Sequence, residues 1–222
     1  MTPHLPLVEA YDGITQVVAR LDDSDLQRPT RCHGWLVVDL LLHLVGDAQR
    51  AVAALDSPTD GPSDVDAVTY WKAFAAENDP AAASAWAVRR AAAGFDRPTD
   101  VVQLWADTAL AAVRAAEAAD PDSRVTTQGH VLTVADLLTT LATEAAIHHL
   151  DLVVDLPRSP LPGPLETRAA TATLDGLLGD MTLRPESWDD HEYLLKATGR
   201  LPLTGRDRLV LGDAVRALPL LR

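Results

Sequence analysis

Four long stretches of this 222-residue chain repeat their apolar residues every three or four positions, a period that fits one face of an α-helix and no strand. Leu7, Tyr11, Ile14 and Val18 form the first stripe, over residues 5–20, in spite of Gly13. Leu36, Leu40, Leu44 and Ala48 form the second, over about residues 36–55, after a segment broken by Pro29 and Gly34. Val101, Leu104, Trp105, Thr108, Ala112 and Ala116 mark the third, over about 99–119, which Asp120-Pro121 ends. The fourth, 133–154, carries its own start signals: Leu132 as a hydrophobic staple, Thr133 as N-cap and Asp136 at N3 of a capping box. The apolar content is mainly Ala and Leu, which favour helix, and no clear strand stands out.

The connections complete the reading. Residues 56–66, rich in Pro, Gly, Ser and Asp, make a surface loop, and 68–76 with 80–93 form one broken helix or two short ones. Four prolines in LPRSPLPGP, residues 156–164, make a stiff connector. It divides a bundle of residues 1–155 from an extension of residues 165–222, whose helices over 167–178, 189–197 and 205–218 need the bundle as a packing surface, because so short a segment has little core. The expected fold is all-α: a four-helix bundle with additional short C-terminal helices.

Charge and motifs narrow the function. A net charge of -13 repels phosphate backbones and anionic lipid, so neither nucleic acid nor a membrane is an expected partner. The longest apolar run, LLLHLV at 40–45, is too short to span a bilayer. No signal-peptide pattern opens the chain, and one cysteine suits a reducing compartment, so a cytoplasmic monomer or homodimer is expected. The glycine-rich nucleotide loops, the G-x-S-x-G elbow and H-E-x-x-H are all missing from the sequence.

What remains is a set of polar residues on helical faces. Glu144 and His148 lie four apart and project side by side, and His43 sits beside the apolar stripe of the second helix. Two imidazoles and a carboxylate would hold a divalent metal, zinc above all, with an open position. A hydrogen-bonded structural histidine and a Glu-His surface pair explain the same spacing. Asp151, three residues after His148, and Asp47, four after His43, are either orienting carboxylates or ordinary acids of an acidic protein. His149 points about 100° away from His148. Cys32, flanked by Arg31 and His33 just before a helix, is placed to have a lowered thiol pKa, or is a small buried hydrophobe. Trp35 packs the helix start, while Trp71, Trp86 and Trp105 belong to a core or a pocket wall.

Two segments carry a resemblance: DLQRPTRCHGWLVVDLLLHL, residues 25–44, and TVADLLTTLATEAAIHHLDLVV, residues 133–154. They resemble the mycothiol-dependent maleylpyruvate isomerase N-terminal family of the DinB-like superfamily, through Pro29, Cys32, Gly34-Trp35, Asp39-Leu40-Leu41 and His43 in the first and Glu144-x3-His148-x2-Asp151-Leu152 in the second. The chain departs from that pattern at His33, Leu36 and Val38, where the family usually has Pro, a Ser or Thr cap, and Arg.

The resemblance implies a DinB-like bundle with a divalent metal, commonly zinc, on His43, Glu144 and His148, and mycothiol as thiol cofactor or cosubstrate. It also implies an arginine in the C-terminal part that meets substrate carboxylates, for which Arg184, Arg200, Arg206 and Arg208 are the candidates. Cys32, Trp35, Asp151 and Arg200 are then expected around the bound thiol. The expected function is a mycothiol-dependent transferase or isomerase acting on a small electrophile; a zinc-dependent hydrolase and a non-catalytic ligand-binding protein are the rivals. The last 24 residues hold Arg200, Arg206, Arg208, Arg216 and Arg222 against Asp207 and Asp213, so an anion patch is expected there, with ordinary surface charge as the alternative.

Overall fold

In a computed structural model the four stripes become the long helices α1 (Leu5–Val18), α2 (Val37–Leu55), α5 (Pro98–Ala118) and α6 (Val134–Leu152). The structure describes residues 2–76, 81–156, 158–179 and 184–221. Between α2 and α5 lie α3 (Thr69–Ala76) and α4 (Ala81–Ala92), over the two stretches expected as one broken helix or two short ones; residues 77–80 lie outside the described residues. Helices α7 (Pro164–Leu178), α8 (Asp190–Ala197) and α9 (Gly205–Leu211) follow. No helix among the described residues is long and apolar enough to cross a membrane.

In the bundle α2 packs along α5 and α1 along α6. Leu7, Tyr11, Ile14, Leu40, Leu44, Val101, Trp105 and Leu138 meet in its core with almost no exposure. Trp105 sits edge-on to Tyr11, ring centroids 5.0 Å apart, and its indole N–H donates to Thr15 Oγ at 2.9 Å. That bond satisfies the one polar atom of the largest core side chain; a Trp105→Ala change removes both and costs about 3–5 kcal/mol.

Residues 124–133 correct the expectation of a chain without strands. Strands β1 (Arg124–Thr127) and β2 (His130–Thr133) form an antiparallel hairpin, Arg124 opposite Thr133, turned by Gln128 and Gly129 with φ of 49° and 84°. Both turn residues are left-handed, as a tight hairpin requires. Four-residue strands are too short for a helical-period search, although Val125, Thr126, Thr127 and Val131 around a Gln-Gly turn are the local signal. The 56–66 loop docks here, Thr59 N–H donating to the Arg124 carbonyl and Asp64 N–H to that of Val131.

The hairpin feeds straight into α6. Thr133 caps it as expected, accepting the Asp136 N–H at 3.1 Å, but the reciprocal half of the box is diverted: the Asp136 carboxylate takes the Thr133 hydroxyl and the Ala67 N–H. At the start of α2, Leu36 has no side-chain acceptor to offer, and Asp39 instead reaches back to the Leu36 N–H at 2.9 Å.

The C-terminal helices pack on α6 and α1 around a second cluster that includes Ala146, Leu150, Leu174, Trp188, Tyr193 and Leu194. Glu9 of α1 accepts the Leu165 and Glu166 N–H groups at the N-terminus of α7. Any side chain at Gly163 would collide with Glu9. The predicted helix over 205–218 is cut at Gly212, whose φ of 55° ends α9, and Gly212–Ala217 continues as a 3₁₀ turn.

Candidate metal centre

Residues 28–37 fold into a turn that brings Cys32 and Trp35 to the end of α6. Pro29 bridges to Leu36, Trp35 N–H donates to the Cys32 carbonyl, and Arg31 N–H donates to the carbonyl of Asp151. Gly34 takes φ 77°, a conformation that favours glycine. Helix α2 leaves this turn with its apolar stripe inward, which carries His43 to the edge of the core opposite Glu144 and His148 on α6.

The three side chains meet. Single ligand atoms of His43, Glu144 and His148 all lie within 4.8 Å of one another. His43 Nε2 is 3.3 Å from Glu144 Oε1, and the two imidazoles face each other edge-on with centroids 5.1 Å apart. Each is only partly exposed: 22% for His43, 25% for Glu144 and 14% for His148. Trp35 leans on His43, ring centroids 5.4 Å apart.

A further layer of charges orients these groups. His148 Nδ1 lies 3.1 Å from Asp151 Oδ2, so its Nε2 is left to face a ligand. Arg200 Nε donates to both oxygens of Asp151 at 2.8 Å. Burial opposes ionisation of Asp151, yet the His148 hydrogen bond and the Arg200 guanidinium hold its carboxyl below the usual range. Asp47 approaches His43 Nε2 at 3.4 Å and is bonded to Arg50 through Oδ1, while its Oδ2 is buried with no hydrogen-bond partner. Burial and the neighbouring Glu144 charge push the Asp47 carboxyl up. Glu144 goes the other way, because the His43 hydrogen bond and charge outweigh its burial.

Glu144 and Asp47 crowd around one imidazole nitrogen, so the pocket wants a positive charge; His43 is held above its usual pKa by them in spite of burial, and burial pushes His148 below its own. A proton on His43 meets that demand incompletely, since Asp47 Oδ2 remains an orphan. Two imidazoles, a carboxylate and a flanking buried carboxylate fit a divalent cation.

Cys32, His148 and Asp151 form a second cluster with metal-like spacing, but there the Arg200 guanidinium already sits on Asp151 as resident cation. Cys32 Sγ donates to Asp151 at 3.3 Å. The expectation of a lowered thiol pKa is overturned: burial, then the Asp151 charge, push Cys32 up to about 12, so it is a neutral thiol and a poor nucleophile.

Other expected residues fall elsewhere. His149 is fully buried on another face of α6, its Nε2 3.1 Å from the Pro160 carbonyl oxygen and its Nδ1 3.8 Å from Glu166. Of the described C-terminal arginines, Arg200 alone is placed against the candidate metal cluster, and there it is spent on Asp151. Arg184 pairs with Asp190 at 2.6 Å and Arg216 lies 3.6 Å from Asp213. Arg206 and Arg208 are exposed on α9, and Arg222 lies outside the described residues. Trp105 is core, Trp71 half-buried, and Trp86 is 64% exposed.

A helical bundle with two imidazoles and a carboxylate gathered between its second and last long helices has DinB-like architecture with a candidate metal centre. The profile of the mycothiol maleylpyruvate isomerase N-terminal domain matches residues 7–153, and the chain belongs to that family. Two solved structures share the fold: the mycothiol-dependent maleylpyruvate isomerase and a histidine-to-alanine mutant of it, both 15% identical with TM-score 0.52. They cover 80% and 82% of this chain and 70% of their own. No curated protein matches.

Proposed function

We propose that the chain is a mycothiol-dependent metalloenzyme, a thiol S-transferase or isomerase acting on a small electrophile, with His43, Glu144 and His148 holding zinc or another divalent ion. The observation that carries this reading is the convergence of those three ligand atoms beside a buried carboxylate oxygen without a hydrogen bond. Family membership supports the thiol. The metal would supply Lewis acidity, lowering the pKa of a thiol at its open position.

The chain's own residues prepare that position. Asp151 fixes the tautomer and orientation of His148, and Arg200 in turn fixes Asp151. Asp47 adds negative charge behind His43. Trp35 walls the site on the side of the Cys32 turn. Cys32, protonated and committed to Asp151, leaves the reacting sulfur to come from the small thiol. In this reading residues 1–155 carry the chemistry, and the extension from residue 165 braces it through Arg200.

The test is metal content and turnover of the wild type and His43→Ala, with monobromobimane as electrophile and mycothiol as thiol. Stoichiometric zinc and mycothiol-dependent conjugation, both lost in His43→Ala, are expected. Stoichiometric metal with thiol-independent hydrolysis would mark a hydrolase instead. No metal after reloading with zinc would leave a non-catalytic ligand-binding bundle.

A further inference from the structure

A cavity of about 680 Å³ opens between the start of α2, the 29–36 turn and α4. Trp35, Trp86 and Phe95 contribute its flat walls, Arg89 and Arg90 its positive charge, and Asp39 its one carboxylate. Trp35 is also the residue that leans on His43 at 5.4 Å. One indole therefore separates the cavity from the metal cluster.

Both arginines line the cavity. Acidic residues outnumber basic ones 32 to 19, yet neither Arg89 nor Arg90 has an ion-pair partner among the described residues. Arg50, Arg97, Arg184 and Arg200 each have one, while several other described arginines, Arg206 and Arg208 among them, do not. Arg89 is positioned by other means: its guanidinium lies over the Trp86 ring, 5.4 Å from the centroid, and above Gly34, where a Cβ would come 4.0 Å from Nη1. A guanidinium held on an aromatic face keeps its N–H edge free for a planar anion.

We infer that this cavity binds an organic acid with a flat apolar body, its carboxylate on Arg89 and Arg90 and its body between the aromatic walls. The anion site thus lies on α4, not among the C-terminal arginines. Asp39 in the wall, its Oδ2 spent on the Leu36 N–H, limits the guest to one negative charge. A guest whose body reaches Trp35 puts its far end toward the metal cluster. In that last respect the inference rests on the metalloenzyme reading; the binding itself does not.

Calorimetric titration of the full chain, zinc-loaded and metal-free, separates the two. The probes are cinnamate, its neutral analogue cinnamamide, the smaller acid crotonate, and phenyl phosphate. Cinnamate is expected to bind both forms of the protein, at least about tenfold more tightly than any of the other three. Arg89→Ala/Arg90→Ala is expected to weaken cinnamate binding by about tenfold or more while zinc stoichiometry and helicity stay at wild-type values, and Arg89→Lys/Arg90→Lys to recover part of the loss. Equal binding of acid and amide, preference for phenyl phosphate, unchanged affinity in the alanine variant, or no cinnamate binding at all would overturn the inference. Failure to load zinc with cinnamate binding intact would sink the metalloenzyme reading and leave this one standing.

Discussion

Two buried charge clusters in this molecule invite comparison. In the C-terminal helices, Lys196 Nζ meets Glu192 and Asp207, each at 2.7 Å, and lies 4.8 Å from the centroid of the Trp188 ring. Asp207 also accepts the Trp188 indole N–H and the Thr204 N–H, both at 2.8 Å. Its every strong demand is met from within. Around His43, by contrast, two carboxylates converge on one nitrogen at 3.3 and 3.4 Å, and the farther of the two oxygens, Asp47 Oδ2, is buried without a hydrogen bond. A cluster that balances itself stabilises a fold; one that leaves charge unbalanced is a candidate binding site.

The sharpest way to break that contrast is to delete one ligand from each side. His43→Ala, Glu144→Gln or His148→Ala should cost zinc binding on the order of 4 kcal/mol, a third of a site worth about 12 kcal/mol. Metal-free Glu144→Gln should be no less stable than the metal-free wild type, because one of the two carboxylates crowding His43 has been neutralised. Metal titration beside urea denaturation checks both halves.

In the balanced cluster the sign reverses. Asp207→Asn leaves Lys196 with Glu192 as its remaining carboxylate and should destabilise the fold by about 2 kcal/mol, the worth of a charged hydrogen bond, without changing zinc affinity, as urea midpoints will show. Burial opposes ionisation of Asp207, but the Lys196 hydrogen bond and its other donors depress its pKa. The carboxyl titrates near 3.9 when unfolded, so the stability it contributes is complete above about pH 5 and is lost as the pH falls below about 4. The gap between wild type and Asp207→Asn in urea should therefore narrow between about pH 5 and about pH 3, on either side of that unfolded-state value.

Asp151→Asn lies between the two regions. It keeps the shape but weakens the hold on His148, and should lower zinc affinity by about 10–100-fold. The smallest effect belongs to Cys32. Cys32→Ala removes one half-buried thiol and its bond to Asp151, and should change mycothiol-dependent turnover by less than about threefold, within the roughly 1 kcal/mol worth of one neutral hydrogen bond. A total loss would restore Cys32 as the nucleophile.

Much of this arrangement is legible in the residues alone. Period-3.6 stripes fall on α1, α2, α5 and α6 because Ala and Leu dominate there and each helix buries one face. Glu144 and His148 are legible as a pair because a helix turn joins them, and His43 joins them through the family pattern. What escapes is set at long range. Arg200 meets Asp151 across 49 residues, and nothing in the local sequence of either announces it. Cys32 misleads for the same reason: its basic neighbours in sequence matter less than the aspartate that folding brings to it. The β1–β2 hairpin is hidden because its strands are shorter than the window in which helical periodicity is judged. Leu36 is the reverse case, since leucine carries no acceptor and its identity alone announces the missing side-chain cap.

The Arg200–Asp151 contact has a last consequence. It joins a residue beyond α8 to the carboxylate behind His148, a proposed metal ligand, so in that reading docking of the C-terminal segment and occupancy of the metal centre share one thermodynamic cycle. Whatever free energy the docked segment lends to metal binding, bound metal must return to docking in equal measure. Hydrogen exchange in α8 then becomes a gauge of what happens at His148: a chelator added to the loaded protein should loosen amides that touch no ligand at all.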